Sequence, residues 1–196
     1  LFIFLRASRE LLAMAQHLGM DLAVDEIRGW VDRVEAGSDF LWNEEVGGYC
    51  ARDLRTGEFS DASTIASTRS FFADVGAPEQ RASMAAHCRR ILDASSFGMP
   101  SWDPNHPAFE SQRYWRGPVW AIMNHMVISG LEDAGLADLA ARVRRGTINL
   151  IDERGMAEYF DPRDGDGLGG MDFSWTAAVY LDLNKKEMAA PIEVVG

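Results

Sequence analysis

Two short segments hold the side chains best suited to chemistry. In the run from Ala157 to Pro162, AEYFDP, one carboxylate, Glu158, lies among apolar and aromatic neighbours. A carboxylate in such surroundings can serve as a proton acceptor, although it also reads as an ordinary loop acid. Asp161, directly before Pro162, suits a turn, and Asp172 is a second local competitor. In YWRGPVW, residues 114–120, three large aromatics surround an Arg-Gly-Pro core. Trp and Tyr join a flat apolar face to a polar edge, which matches the C–H face and hydroxyl rim of a sugar. The same residues could equally pack helix ends together. Arg116 could fork a ligand carboxylate or pair with a neighbouring acid to fix the loop.

Other chemistries find no support in the pattern. His17, His87, His106 and His125 have no partner at i+3 or i+4, and neither do Cys50 and Cys88, so no metal site is read. DPRDGDG, residues 161–167, does not follow the acid spacing of a calcium loop and reads as a polar turn. Gly165, Gly167, Gly169 and Gly170 follow no predicted strand, so they hold no dinucleotide. There is no Gly-x-Ser-x-Gly elbow, and no cofactor is implied. A formal charge of −11 over 196 residues argues against a nucleic-acid partner. Apolar runs of only a few residues argue against a membrane span. Two cysteines make no disulfide framework and suggest reduced, buried thiols. With no signal-like leader, this predicts a cytoplasmic protein.

The elements that must position these residues are nearly all helical. The chain has the length of one sizeable domain, and six Trp, ten Phe and four Tyr imply a well-packed or ligand-lined interior. Leu5, Leu11, Leu12, Ala15 and Leu18 mark a first helix that stops at Gly19. It is already under way at Leu1, which predicts further sequence upstream. Ile27, Trp30, Val31 and Val34 predict a second helix over 22–43. A hairpin is expected around Thr56-Gly57, a short helix over 63–73, and a helix from Pro78 to about Ala94. Pro118 is expected to open a buried helix through VWAIMNHMVISGLEDAG, residues 119–135. An amphipathic helix follows over 136–154 and a last helix from Ser174 to about Leu183, and residues 184–196 read as a tail. Long irregular segments before residues 118 and 174 should gather at one end of this array of helical hairpins.

SWDPNHPAF, RYWRGPVW, EYFDP and FSWTAA, in this order, resemble the second half of glycoside hydrolase family 63. Similarity is strongest to the branch acting on mannosylglycerate and glucosylglycerate, and it covers residues 1–183. The resemblance implies an all-α fold, the (α/α)6 barrel, of which this chain holds about the C-terminal half. It implies an inverting mechanism, in which an acid protonates the leaving oxygen and a base activates water on the opposite face, the two carboxyls standing about 6.5–9.5 Å apart. It places the base on Glu158 and the sugar-contacting loop on Tyr114, Trp115, Gly117 and Trp120. It places the acid in the half that these residues do not contain, so the chain is expected to need that half or a second chain. A trehalase or α-glucosidase on the same scaffold, and a non-catalytic sugar-binding half-barrel, remain the alternatives.

Overall fold

The computed structural model describes residues 1–188, with side chains through Lys185. Seven α-helices occur among the described residues: α1 (Phe2–His17), α2 (Asp21–Ala36), α3 (Arg69–Phe72), α4 (Pro78–Asp93), α5 (Ala121–Asp133), α6 (Ala137–Arg154) and α7 (Ser174–Met188). Two small antiparallel hairpins accompany them: β1 (Trp42–Asn43) with β2 (Gly48–Tyr49), and β3 (Tyr159–Phe160) with β4 (Gly167–Leu168). The helices α1, α3, α5 and α7 form a row in which each touches the next. On the other side α2 backs α1, α6 backs α5 and α7, and α4 meets α6 and β2. A core of Leu5, Phe71, Leu92, Trp120, Leu131 and Leu150, each nearly or fully inaccessible, runs between the two layers. No described helix is long and apolar enough to cross a membrane.

Helix boundaries follow the sequence where periodicity and caps agree. The chain leaves α1 through Gly19 at φ 66°, a backbone region that glycine enters without a Cβ clash. Pro78 opens α4, and the Gln80 side chain accepts the Ala77 N–H at 2.8 Å. The Thr56-Gly57 hairpin forms, with Arg52 bridged to Phe59 and the Gly57 N–H donating to the Asp53 carbonyl.

Four expectations need correction. The second helix ends at Ala36, not Asn43, because Gly37 and a 3₁₀ turn over Ser38–Leu41 release Trp42 to pair with Tyr49. The helix expected over 63–73 shrinks to Arg69–Phe72, since Thr64 bridges to Trp102, the Ile65 N–H donates to the Ser101 carbonyl, and residues 65–68 form turns. Pro118 does not open α5. Val119 exchanges both backbone hydrogen bonds with Phe160 and also bridges Pro100, so the helix starts only at Ala121. Finally, α7 continues to Met188, past Leu183, and the remainder of the expected tail lies outside the described residues. The extended pairs 64–102, 100–119 and 119–160 have one effect in common. They lash the segments leading into α3, α5 and β3 together at one end of the array.

Candidate functional site

The loop before α5 is built around a close approach. A Cβ on Gly117 would lie 2.1 Å from the Glu110 carbonyl oxygen, so only glycine fits. Its N–H donates to Ser101 Oγ at 3.1 Å, and the Glu110 N–H donates to the Arg116 carbonyl at 2.9 Å. The Arg116 side chain pairs with the Glu110 carboxylate, which Arg113 also reaches. These bonds, led by the one from Arg116, hold Glu110 below the usual carboxylate range. Arg116 therefore fixes the loop and offers no free fork to a ligand.

Tyr114 sits at φ 29°, an uncommon setting for a side chain of this size. It serves two partners. Its carbonyl accepts the Trp120 indole N–H at 3.0 Å, and its hydroxyl donates to Glu158 Oε1 at 3.3 Å. Partial burial, then the Glu158 charge, raise the Tyr114 phenol above its ordinary pKa, so it stays a donor. The second Glu158 oxygen, Oε2, accepts the Gly170 N–H at 3.1 Å, and the Glu158 N–H donates to the Gly170 carbonyl. Gly169 allows this wrap: at φ 73°, any Cβ there would fall 2.5 Å from Glu158 Oε2. The glycine run is thus a cradle for one carboxylate, a role that its sequence does not reveal.

The aromatics divide into a buried layer and an open one. Trp120 is 0% exposed, sandwiched between Trp115 (4.0 Å, 7° between planes) and Tyr159 (4.7 Å, 23°). Tyr114 meets Trp120 edge-on at 4.9 Å. Trp115 and Tyr114 are 45% and 49% exposed, and Trp175 at the start of α7 also reaches solvent. Of the four aromatic-loop residues singled out by the resemblance, Tyr114 and Trp115 present accessible rings. Gly117 and Trp120 support them from behind. Tyr159 and Trp175 join the cluster; Trp175 is one of the tryptophans whose type already suits a sugar face, whereas Tyr159 is not assigned there from the sequence.

The competing acids behave differently. Asp161 is buried, accepts from Ser111 Oγ and from the Arg163 N–H, and closes the β3–β4 turn, as its position before Pro162 suggests. Asp172 is exposed, on left-handed backbone at φ 56°. Behind the site, buried His87 lies between Ser63 Oγ and Arg90. Arg90 also holds Asp103 at 2.8 Å. Arg90 can only donate to Nδ1, so the imidazole is neutral with its proton on Nε2, toward Ser63. Burial, then the Arg90 charge, lower the His87 pKa. Burial alone would raise Asp103, but its bonds from Arg90 and Asn105 hold it low. Cys50 and Cys88 are both free and buried, and burial pushes the Cys88 thiol up to about 12.

A two-layered array of helical hairpins, with its irregular segments lashed together at one end around open aromatic rings and a cradled carboxylate, defines a portion of an (α/α)6 barrel of the glycoside hydrolase type. The chain belongs to the mannosylglycerate hydrolase MGH1-like glycoside hydrolase domain family, whose model matches residues 1–176. It is 43% identical over 176 residues to mannosylglycerate hydrolase MGH1 of Selaginella moellendorffii, covering 90% of this chain and 36% of that one. It is also 43% identical over 181 residues to the mannosylglycerate hydrolase of Thermus thermophilus, covering 91% and 43% respectively. A crystal structure of a family 63 mannosylglycerate hydrolase from Thermus thermophilus, in complex with Tris and D-glycerate, superposes with a TM-score of 0.88 at 40% identity. That match covers 92% of this chain and 43% of the other. The chain spans about 36–43% of the length of these relatives.

Proposed function

We propose that the chain supplies the general base and the aromatic wall of an inverting glycoside hydrolase. Its substrate would be a small glycoside with an α-glycosidic bond, such as mannosylglycerate or glucosylglycerate. The observation that carries this reading is Glu158, held at both oxygens by the Tyr114 hydroxyl and the Gly170 N–H, beside the open Tyr114 and Trp115 rings. Both partners are single hydrogen bonds, which leaves lone pairs on each oxygen for an attacking water. In the reaction, Glu158 takes a proton from that water as its oxygen bonds to the anomeric carbon. The glycosidic bond breaks, and the leaving oxygen takes a proton from an acid on the opposite face.

No residue of this chain is assigned as that acid, which belongs to the part of the barrel that the relatives hold beyond the matched region. In this reading residues 1–183 form the C-terminal half of a catalytic domain, and the missing half or a second chain completes it. The free, buried thiols suit a cytoplasmic setting.

The test is Glu158→Gln in an assembly that hydrolyses mannosylglycerate. The amide keeps the size and cannot take the proton, so kcat should fall by about 10²–10⁴-fold with little change in KM, and the acidic limb of the pH–rate profile should vanish. Asp161→Asn should cost stability, because it weakens a buried acceptor, while Asp172→Asn should cost neither stability nor rate. A Glu158→Gln enzyme that keeps most of its kcat, beside a control that loses it, would mean that the base is a different carboxylate.

A further inference from the structure

The segment FSWTAA at the start of α7 contributes more than the Trp175 ring. Thr176, in the first turn of that helix, is fully buried. In a helix a threonine hydroxyl commonly turns back to a carbonyl three or four residues earlier. Thr147 on α6, equally buried, does so and donates to the Val143 carbonyl at 2.8 Å. Thr176 reaches out of its helix: its hydroxyl donates to the Ala157 carbonyl at 2.7 Å, 19 residues away. That carbonyl belongs to the peptide group joining Ala157 to Glu158. The N–H of the same peptide donates to the Gly170 carbonyl at 2.8 Å. One residue earlier, the Met156 carbonyl accepts the Phe173 N–H at 2.8 Å. Ala157 is fully buried and closely packed, since a Cβ on Gly167 would lie 2.9 Å from the Ala157 Cβ.

Both ends of the peptide that leads into Glu158 are therefore held, one by backbone and the other by a side chain. A peptide group is planar, so fixing its carbonyl and its N–H fixes the plane in which the Glu158 Cα lies. The Tyr114 hydroxyl and the Gly170 N–H act at the far end of the Glu158 side chain. Thr176 acts at its root. We propose that Thr176 is a positioning residue for Glu158, setting through the Ala157 carbonyl where the carboxylate meets the attacking water. The inference rests on the reading of Glu158 as general base, and it gives that base a support in the buried layer behind the open rings.

The experiment uses the complete assembly that hydrolyses mannosylglycerate, this chain with the rest of the barrel. Thr176→Val keeps the volume and removes the donor, leaving a buried carbonyl without its partner. Its kcat should fall by roughly 10–100-fold, up to the cost of misplacing a reacting group by about 1 Å, with little change in KM. Thr176→Ser keeps the donor and loses a packed methyl, so its Tm should fall while kcat stays near native. Thr176→Ala set against Thr176→Ser isolates the hydroxyl in a smaller side chain, should the valine variant not fold. Thr147→Val, which removes a buried hydroxyl serving only its own helix, should leave kcat unchanged. The deciding measurement combines Thr176→Val with Glu158→Gln. A threonine that acts through the carboxylate adds nothing once the carboxylate is gone, so the double variant should be no slower than Glu158→Gln alone. A slow Glu158→Gln enzyme whose loss multiplies with that of Thr176→Val overturns this proposal and leaves the base in place. A Glu158→Gln enzyme that keeps its rate overturns both. A Thr176→Ser variant as slow as Thr176→Val or Thr176→Ala, or a Thr176→Val variant with native kcat, also overturns the positioning role.

Discussion

Glu158 shows how a single side chain comes to depend on a distant glycine. Its Oε2 accepts the Gly170 N–H only because Gly169 carries no Cβ, which would otherwise sit 2.5 Å from that oxygen. Gly165 offers a matched control. It has a similar positive φ of 80°, yet its Cβ would meet only Leu150 and Phe97 at 3.1 Å. Substituting alanine at either position imposes the left-handed backbone cost of about 1–2 kcal/mol. Both variants should therefore melt lower, Gly169→Ala by more, because its Cβ would also lie 2.7 Å from Tyr159 Cε1. Only Gly169→Ala should also displace the carboxylate, lowering kcat in a complete enzyme while KM changes less. Equal kinetic losses in the two variants, measured at a temperature where both are folded, would show that the cradle does not act through Glu158.

The elements that carry the site are held by polar groups as much as by apolar packing. Segment 101–103 is tied to α4 through His87, Arg90 and Asp103, with the Ser63 hydroxyl on the far side of the imidazole. The folded-state His87 pKa lies below the unfolded value of about 6.5, because burial and Arg90 disfavour the imidazolium. The unfolded chain therefore binds the proton first. This contribution to stability is complete above about pH 6.5 and is lost as pH falls toward the folded pKa, at no more than about 1.4 kcal/mol per pH unit. Asp103 is also lowered, so its contribution is lost only in the separate carboxylate window, below about pH 4. Urea melts at pH 7.5 and 5.5 should differ for the native chain, and His87→Gln should reduce the difference. A slope unchanged by that substitution would remove His87 as its source.

The same elements show what sequence can and cannot convey. Spacing locates α1, α4 and α6 well, because each buries one stripe and carries its own stop or start in Gly19, Pro78 or Gly155. It fails at Pro118 and at 63–68, where the bridges at Val119 and Thr64 and the turn at Ile65 are fixed by partners far away in sequence, Phe160, Trp102 and Ser101. Local pattern has no access to such bonds. Glu158, Tyr114 and Trp115 can be singled out from their neighbours and their motif, whereas the burial of Trp120 and the purpose of Gly169 depend on tertiary contacts alone.

At the scale of the whole molecule, the row of α1, α3, α5 and α7 has two ends and no closure within the described residues. The most apolar helix, α5, is not left open by this: it lies between α3, α6 and α7, with Val127, Ile128 and Leu131 almost fully covered. The exposed apolar surface lies instead at the first position of the row. Phe4, Leu11 and Met14 on α1, with Leu18 just beyond it, recur at intervals of seven, three and four residues and are each at least 44% exposed. That spacing forms one stripe on a helix, and a continuous apolar stripe of this size marks a surface that another element covers. At the last position, Leu181 on α7 is 64% exposed. A barrel that closes would cover both flanks. The 196-residue chain alone should therefore self-associate at micromolar concentration, and adding a polypeptide that supplies the remaining helices should raise its Tm and suppress association. Phe4→Ser with Met14→Glu should reduce self-association without lowering Tm, since neither side chain belongs to the core. It should also weaken the stabilisation by the added half, because the same stripe serves both contacts. Sedimentation velocity and thermal melts across these four states decide the matter: a native chain that stays monomeric, melts cooperatively and is indifferent to the added half would mean that the stripe has no partner in the barrel.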